Sequence, residues 1–235
     1  MRVHRVFVRE LQAGETVLTG SEAQHLAQVL RVQPGARVRA FDGTGLEADG
    51  LVTGTDTLRV TVQLETPEPS TVEAALDITL AVALLKGDKL SEVVRRGTEL
   101  GAGRFDLFVG ERCDVRTLSP NKLDRLRRVA QEASKQSGRS VVPEVTVTGT
   151  LEALVLEGFC LVAEPRAERS LQQVLRGTVL ERLTVITGPE GGLSEAELAD
   201  LTERGAHSVR LGARILRAET APIAVAAALL IPEAL

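Results

Sequence analysis

Aromatic residues are scarce in this chain, which contains five Phe and lacks Trp and Tyr altogether. Aromatic rings are the usual platforms on which proteins stack nucleic-acid bases, so any such stacking is left to the five Phe. Hydrophobic residues nevertheless make up 43% of the 235 residues. That proportion is ample for a packed core, which Leu, Val and Ala must fill almost alone.

Cysteine and histidine are also few. Cys113 and Cys160 lie far apart without a CxxC partner, and His4, His25 and His207 are scattered. This spacing indicates neither a disulfide framework nor a metal site. We therefore predict that both cysteines are reduced thiols packed in the core, and that the protein binds no metal.

No apolar run reaches the length of a membrane span, and the first residues, "MRVHRVFVRE", carry charges where a signal peptide needs an apolar segment. The sequence thus predicts a cytoplasmic protein without a membrane segment. A net charge of −4 argues against indiscriminate binding of nucleic acid, although it says nothing of local basic patches.

Two domains are predicted from a change of pattern near residue 70. Residues 1–70 consist of short β-branched runs that alternate apolar with polar residues, which is typical of a small, mostly β domain. Its one helix candidate is "SEAQHLAQVLRV", in which Ser21 and Gln24 form a predicted capping box. The segment "TPEPST" at residues 66–71 reads as a linker.

Residues 71–235 alternate strand-like runs with amphipathic helical segments. The runs are "DITLAVALL", "RFDLFVG", "GFCLVAE", "LTVIT" and "HSVRL". Such alternation predicts an α/β domain with a mainly parallel sheet.

A helix is predicted from Pro120 to Ser137, with Ser119 as its N-cap and Gly138 as its stop. Apolar residues recur along one face, and the opposite side collects a basic stripe that Glu132 interrupts: Lys122, Arg125, Arg128, Lys135 and Arg139. Most such stripes are simply the solvated face of a surface helix. The concentration of Arg in an acidic protein gives weight to the alternative, an RNA-facing surface.

Two loops near the C-terminus carry the strongest functional signal. "LTVITGPEGGLSEAEL" reads as a strand, a glycine loop and a helix whose Ser194 and Glu197 form a capping box, and it matches neither a P-loop nor a dinucleotide fingerprint. "HSVRLGARILRAETAPIAVAAALL" reads as a strand, a loop that mixes charged and apolar residues, and a buried helix for which Thr220 is a plausible cap. If the two strands are neighbours, the loops at their carboxyl ends form a pocket.

These loops, together with "FDGTG", "RRGTELG", "ERC" and "QSGR" in the same order, closely resemble the bacterial 16S ribosomal RNA uridine-N3 methyltransferase family of the SPOUT superfamily. The resemblance implies a PUA-like β-barrel over residues 1–70 and a trefoil-knotted α/β methyltransferase domain over residues 71–235. It also implies a homodimer that binds S-adenosylmethionine in the knot and acts on the 16S RNA of the small ribosomal subunit.

The cofactor-binding residues follow from the resemblance by position, whereas the RNA contacts are mostly basic residues of the first domain and of the helical stripe. The predicted cofactor-binding residues are Leu161, Ala163, Glu164, Gly188, Pro189, Glu190, Gly191, Gly192, Leu211, Gly212, Ile215, Leu216 and Arg217. The predicted RNA contacts are Arg2, Arg5, Arg31, Arg112, Arg128, Lys135, Gln136 and Arg139.

The predicted catalytic residues are Arg217 and Glu219. Methylation of uridine N3 needs charge stabilisation as the nitrogen loses its proton, and Arg217 is the candidate for it. Glu219 is either a base or a brace for Arg217, and the adjacent cation favours the brace. Two alternatives remain: a knotted methyltransferase acting on another RNA position, such as a tRNA base or a ribose 2′-hydroxyl, and a non-catalytic RNA-binding module for ribosome assembly.

Overall fold

The computed structural model of the protein describes residues 3–231, and the chain divides into two units. The first unit extends to Glu73 and also includes Ser134–Val142, whereas the second comprises Ala74–Ala133 and the chain from Pro143 onward. The predicted boundary after residue 70 lies three residues before this division. No sequence pattern indicated that residues 134–142 belong with the first unit.

The first unit is built on a six-stranded sheet with the strand order β1-β3-β4-β5-β2, in which β6 pairs with β4. Strand β1 runs parallel to β3, and the other neighbours are antiparallel. The predicted alternation holds along β5, where Val60, Val62 and Leu64 enter the core. The strands are β1 His4–Phe7, β2 Gly14–Thr19, β3 Arg37–Phe41, β4 Leu46–Thr55, β5 Arg59–Leu64 and β6 Glu68–Pro69.

The one helix predicted in this unit is present, but it begins differently from the prediction. Helix α1 spans Gly20–Gln24 and continues as a π-helical turn over His25–Val29. Thr19 occupies the N-cap position and makes no side-chain cap, so the predicted capping box of Ser21 and Gln24 is wrong. The π-turn closes with the Leu30 amide donating to the His25 carbonyl at 2.9 Å.

The second unit contains a six-stranded, fully parallel sheet with the order β12-β10-β11-β7-β8-β9. Five of its strands match the predicted runs, and β9 was not predicted. The strands are β7 Asp77–Ala83, β8 Arg104–Val109, β9 Glu144–Thr150, β10 Phe159–Ala163, β11 Arg182–Thr187 and β12 His207–Val209.

The helices of the second unit follow its strands, and helix α3 continues into the first unit. They are α2 Lys89–Leu100, α3 Pro120–Ser137, α4 Leu171–Leu175, α5 Glu195–Glu203 and α6 Thr220–Leu230, with a 3₁₀ turn at Leu151–Ala153. The predicted ends of α3 are confirmed, because the Lys122 amide donates to Ser119 and Gly138 adopts a φ of 84°. A glycine accepts this left-handed backbone at little cost.

Helix caps were predicted with mixed success. The Ser194–Glu197 capping box of α5 is confirmed. A similar box at Ser170 and Gln173 begins α4 and was not predicted. For α6 the N-cap is Glu219, so Thr220 is the first helical residue and not the cap.

The sheet order determines where a ligand can bind. Ala163, Thr187 and Val82 lie side by side at the carboxyl ends of β10, β11 and β7. After the outer strand β12 the chain returns, so that α6 packs against α2, β7 and β11. This return agrees with the knotted C-terminal segment that the resemblance implies.

Cys113 and Cys160 are buried and free, which confirms the predicted thiols. Burial raises the pKa of each. Within residues 3–231, no group of three or more His, Cys, Asp or Glu side chains could hold a metal ion. Over the same residues, no helix is both long and apolar enough to cross a bilayer.

Candidate active site

A pocket with a volume of about 440 Å³ lies at the carboxyl ends of the second unit's parallel strands. Its wall is formed chiefly by the two loops that the sequence singled out. Ten of the thirteen predicted cofactor residues line it: Ala163, Glu164, Gly188, Pro189, Glu190, Gly192, Leu211, Ile215, Leu216 and Arg217. The volume is in the usual range for small-molecule sites.

Three predicted cofactor residues lie outside the wall. Leu161 is fully buried within β10, between β11 and β12. Gly191 faces Arg112, because a Cβ added there would lie 3.1 Å from that residue's Cβ. Gly212 forms the turn after β12 with a φ of 92°. These residues shape the loops without lining the pocket.

The glycine loop turns sharply at the end of β11. The Gly192 amide donates to the Pro189 carbonyl at 2.9 Å, and Gly192 has a φ of 71°. A Cβ at Gly188 would lie 3.0 Å from Leu193, so the loop packs closely on itself. Helix α5 then begins with its capping box, which fixes the loop's exit.

Lys89, the first residue of α2, brings a cation to this pocket. Its Nζ lies 2.7 Å from Glu190 Oε1 and 3.4 Å from Glu219 Oε2. The hydrogen bond with Glu190 raises the pKa of Lys89. Burial alone would raise the pKa of Glu190, but hydrogen bonds from Lys89 and from backbone amides outweigh it and lower that pKa. Both side chains are therefore charged at neutral pH.

The two predicted catalytic residues differ in exposure. The side chain of Arg217 is 84% exposed at the pocket wall, whereas that of Glu219 is only 13% exposed. Their nearest charged atoms are 3.9 Å apart, so the closer cationic partner of Glu219 is Lys89. The predicted brace between Glu219 and Arg217 is thus the weaker of the two ion pairs.

Two buried oxygen atoms in the pocket wall lack a hydrogen-bond partner among the described residues: Thr187 Oγ1 and Glu219 Oε2. Glu219 Oε2 lies near Lys89 but outside hydrogen-bonding geometry. Buried polar atoms in native proteins almost always have partners. Their position in a pocket wall indicates that a polar ligand completes them.

Several wall residues were missed by sequence reasoning. They are Lys89, Pro165, Thr187, Leu193, Arg210, Arg214, Ala218 and Ala221. Most adjoin the two loops in sequence, but Lys89 does not. The signal for Lys89 was its position just after the loop that follows β7. The carboxyl end of β7 lies at the same edge of the parallel sheet as those of β10 and β11.

Arg112, a predicted RNA contact, supports the glycine loop. Its Nη1 donates to the carbonyls of Gly191 and Leu193 at 3.3 and 3.2 Å. Glu197 holds the same two segments, since it accepts from the amides of Glu111 at 2.8 Å and Ser194 at 2.7 Å. The loop after β8 is therefore hydrogen-bonded to the glycine loop and helps to hold it in place.

Lys135 and Arg139 are buried in the first unit by carboxylate partners. Lys135 Nζ lies 2.8 Å from Glu22, with 8% of the lysine side chain exposed. Arg139 lies 2.8 Å from Glu73, with 6% exposed.

Arg5 is similarly enclosed: it pairs with Glu47 at 3.1 Å, donates to the Arg139 carbonyl and lies over the Phe41 ring. Arg5, Lys135 and Arg139 are therefore held by partners within the first unit, and their contact with RNA stays a prediction. The other three residues of the basic stripe, Lys122, Arg125 and Arg128, are exposed.

The other predicted RNA contacts have different surroundings. Arg31, Arg128 and Gln136 are exposed. Arg128 donates only within its own helix among the bonds described, to the Asp124 carbonyl. Arg2 lies outside the described residues.

Comparison with known proteins agrees with this geometry. Residues 72–230 match the RNA methyltransferase domain family, and residues 18–65 match the RNA methyltransferase PUA domain family. The ribosomal RNA small subunit methyltransferase E of Bacillus subtilis is 31% identical over 219 residues, covering 88% of this chain and 86% of that protein. The protein of the same name from Synechocystis is 34% identical over 235 residues, covering 93% and 74%.

A solved structure is similar over nearly the whole chain. The ribosomal RNA small subunit methyltransferase E of Neisseria gonorrhoeae, crystallised with S-adenosylmethionine, has a TM-score of 0.88 and 30% identity, and the match covers 97% of each chain. With the parallel sheet, the PUA domain and the pocket at the strand ends, these matches show that the chain belongs to the ribosomal RNA small subunit methyltransferase E family.

Proposed function

We propose that this protein transfers the methyl group of S-adenosylmethionine to N3 of a uridine in the 16S RNA of the small ribosomal subunit. The observation that carries the proposal is the pocket formed by the two C-terminal loops, in a chain that matches a cofactor-bound relative along 97% of its length. The uridine N3 target rests on the sequence resemblance.

The residues present suit S-adenosylmethionine. This molecule carries an amino group, a carboxylate, hydroxyl groups and an adenine ring beside its sulfonium centre. The pocket offers charged groups of both signs, apolar walls from Leu211, Ile215 and Leu216, and the Thr187 hydroxyl, which has no hydrogen-bond partner among the described residues. When bound, the cofactor supplies an electrophilic methyl group.

The protein's own part in the reaction is to position and to stabilise charge. Orienting two reactants can lower a barrier by about 7–11 kcal/mol in favourable cases. Arg217 is exposed at the pocket wall, where its guanidinium can oppose the negative charge that develops on the uracil as N3 loses its proton. Glu219, ion-paired with Lys89 at 3.4 Å, contributes a fixed negative charge 3.9 Å from the Arg217 guanidinium.

Mass mapping of methylated nucleosides in 16S RNA, after incubation with protein and S-adenosylmethionine, tests the activity and the target together. We expect one new N3-methyluridine. A methylated ribose, guanine or tRNA product would establish the knotted enzyme with another target. A non-catalytic assembly module would show no cofactor binding in calorimetry.

Replacement of Arg217 by Ala tests its catalytic assignment. Because the side chain is mostly exposed, the fold should be retained, while turnover should fall about 100-fold or more through lost charge stabilisation. Arg176, exposed and outside the pocket wall, provides the matched control. Turnover of Arg217→Ala near that of Arg176→Ala would contradict the assignment.

We also propose that the protein acts in the cytoplasm as a homodimer. Helix α6 is apolar on nearly every side; it buries Pro222, Val225 and Ala226, yet it leaves Ala228 exposed, and the following Ile231 is 61% exposed. An apolar helix surface without cover favours a partner. Light scattering at assay concentration should give twice the chain mass, and a fully active monomer would refute the proposal.

A further inference from the structure

Within residues 3–231, Lys89 is the one residue of the pocket wall whose side chain contacts a carboxylate from each of the two loops. It belongs to neither loop, since it begins α2 after the loop that follows β7. Its partners Glu190 and Glu219 belong to the glycine loop and to the end of the second loop. One ammonium group thus links three separate segments of the chain.

We propose that Lys89 is a positioning residue that holds the two pocket loops together by neutralising Glu190 and Glu219. As a consequence, Lys89 keeps the pocket in the shape that binds S-adenosylmethionine, and this consequence rests on the proposed function. The lysine need not touch the reacting atoms to do so.

Electrostatics supports this role. Both carboxylate oxygens lie within 3.4 Å of one ammonium, so without it two like charges would face each other in a partly enclosed space. Glu219 could not easily escape into water, because its side chain is only 13% exposed. The cost of leaving such a charge unpaired is greater than for a surface residue.

Neighbouring cations do not replace Lys89. The side chain of Lys86 pairs with Asp114 at 2.8 Å, and only its backbone amide reaches Glu190, at 3.4 Å. Arg217 lies 3.9 Å from Glu219 and is directed largely into solvent. Loss of the Lys89 charge therefore leaves Glu190 without its nearest compensating charge.

Three variants test the role: Lys89→Met, Lys89→Arg and the double variant Lys89→Met/Glu190→Gln. We expect Lys89→Met to weaken S-adenosylmethionine binding by about 10-fold, the equivalent of one partly buried ion pair, and Lys89→Arg to retain most of the affinity. The double variant should bind more tightly than Lys89→Met, because it removes the repulsion. A lysine that acted only through the packing of its aliphatic chain would not be rescued by the loss of a carboxylate.

Lys86→Met is the control, since it removes the same charge three residues earlier from a pair outside the pocket wall. Calorimetry gives the affinities, and turnover at saturating cofactor separates binding from chemistry. Wild-type affinity in Lys89→Met, or failure of Glu190→Gln to restore any affinity, would overturn the inference.

Hydrogen exchange of the cofactor-free proteins separates this inference from the proposed function. In Lys89→Met, amides in residues 188–193 and 211–219 should exchange faster than in Lys86→Met. This result does not require any cofactor to bind. If the wild-type protein bound no S-adenosylmethionine, the proposed function would fail, and exchange in the two loops would still decide whether Lys89 joins them.

Discussion

Replacement of Lys135 by Met distinguishes a structural ion pair from an RNA contact. The sequence predicted that this lysine binds RNA phosphate, but its Nζ donates to both carboxylate oxygens of Glu22, at 2.9 and 2.8 Å. The two side chains are 8% and 14% exposed. Removing the cation leaves Glu22 charged, largely buried and unpaired.

Breaking a buried pair by removing one partner costs about 3–5 kcal/mol, and the residual exposure here favours the lower end. In a chain of this size, about 3 kcal/mol corresponds to a fall in melting temperature of about 6–12 °C. The double variant Lys135→Met/Glu22→Gln should recover much of that loss, because the remaining amide carries no charge.

Thermal unfolding and RNA binding should be measured on the same variants, with Arg128→Met as the exposed control. We expect Lys135→Met to lower the melting temperature and to leave RNA affinity nearly unchanged below the transition. Unchanged melting together with weaker RNA binding and a flatter salt dependence would refute the reasoning.

Further predictions concern the loops and the remaining exposed cations. Arg112→Met should weaken S-adenosylmethionine binding severalfold, because the Gly191 carbonyl loses its donor, while RNA affinity is retained. Arg128→Met should weaken RNA binding and leave the cofactor affinity unchanged. Calorimetry measures the cofactor affinities of the two variants, and filter binding measures their RNA affinities. Equal effects of the two variants on both ligands would contradict this division. Gly192→Ala should cost about 1 kcal/mol, since its φ of 71° disfavours a side chain. In thermal unfolding, Gly54→Ala should melt close to wild type, because Gly54 lacks a positive φ and an added Cβ would make only ordinary van der Waals contacts with Thr61. Equal losses in the two variants would count against the strain argument.

The fold was largely predictable because its signals are local. Five strands of the parallel sheet are short apolar runs bounded by turns, and helix α3 carries a cap, a first-turn proline and a terminal glycine in sequence. Strand β9 was missed because its sequence, "EVTVTGT", alternates Val with Thr and buries only Val145, in a domain where the other strands are mainly apolar runs.

The pocket was predictable for a related reason. Parallel strands bring their carboxyl ends to one edge, so the loops after β11 and β12 had to lie near each other once their strands joined one sheet. Lys89 was missed because its one sequence signal, a position shortly after the end of β7, does not show which groups its side chain contacts. Its significance comes from carboxylates about a hundred residues and more away, at Glu190 and Glu219.

The burial of Lys135 and Arg139 could not be predicted from the basic stripe, because helical spacing identifies which residues share a face but not what covers that face. Lys135 meets a carboxylate 113 residues earlier in the chain, and Arg139 meets one 66 residues earlier. In each pair a long charged side chain is buried in the first unit, and this burial is tolerated only because an oppositely charged partner is present. A lysine or arginine that stabilises the fold and one that binds RNA look the same in sequence. The role of such a residue depends on whether the folded chain places a carboxylate next to its side chain.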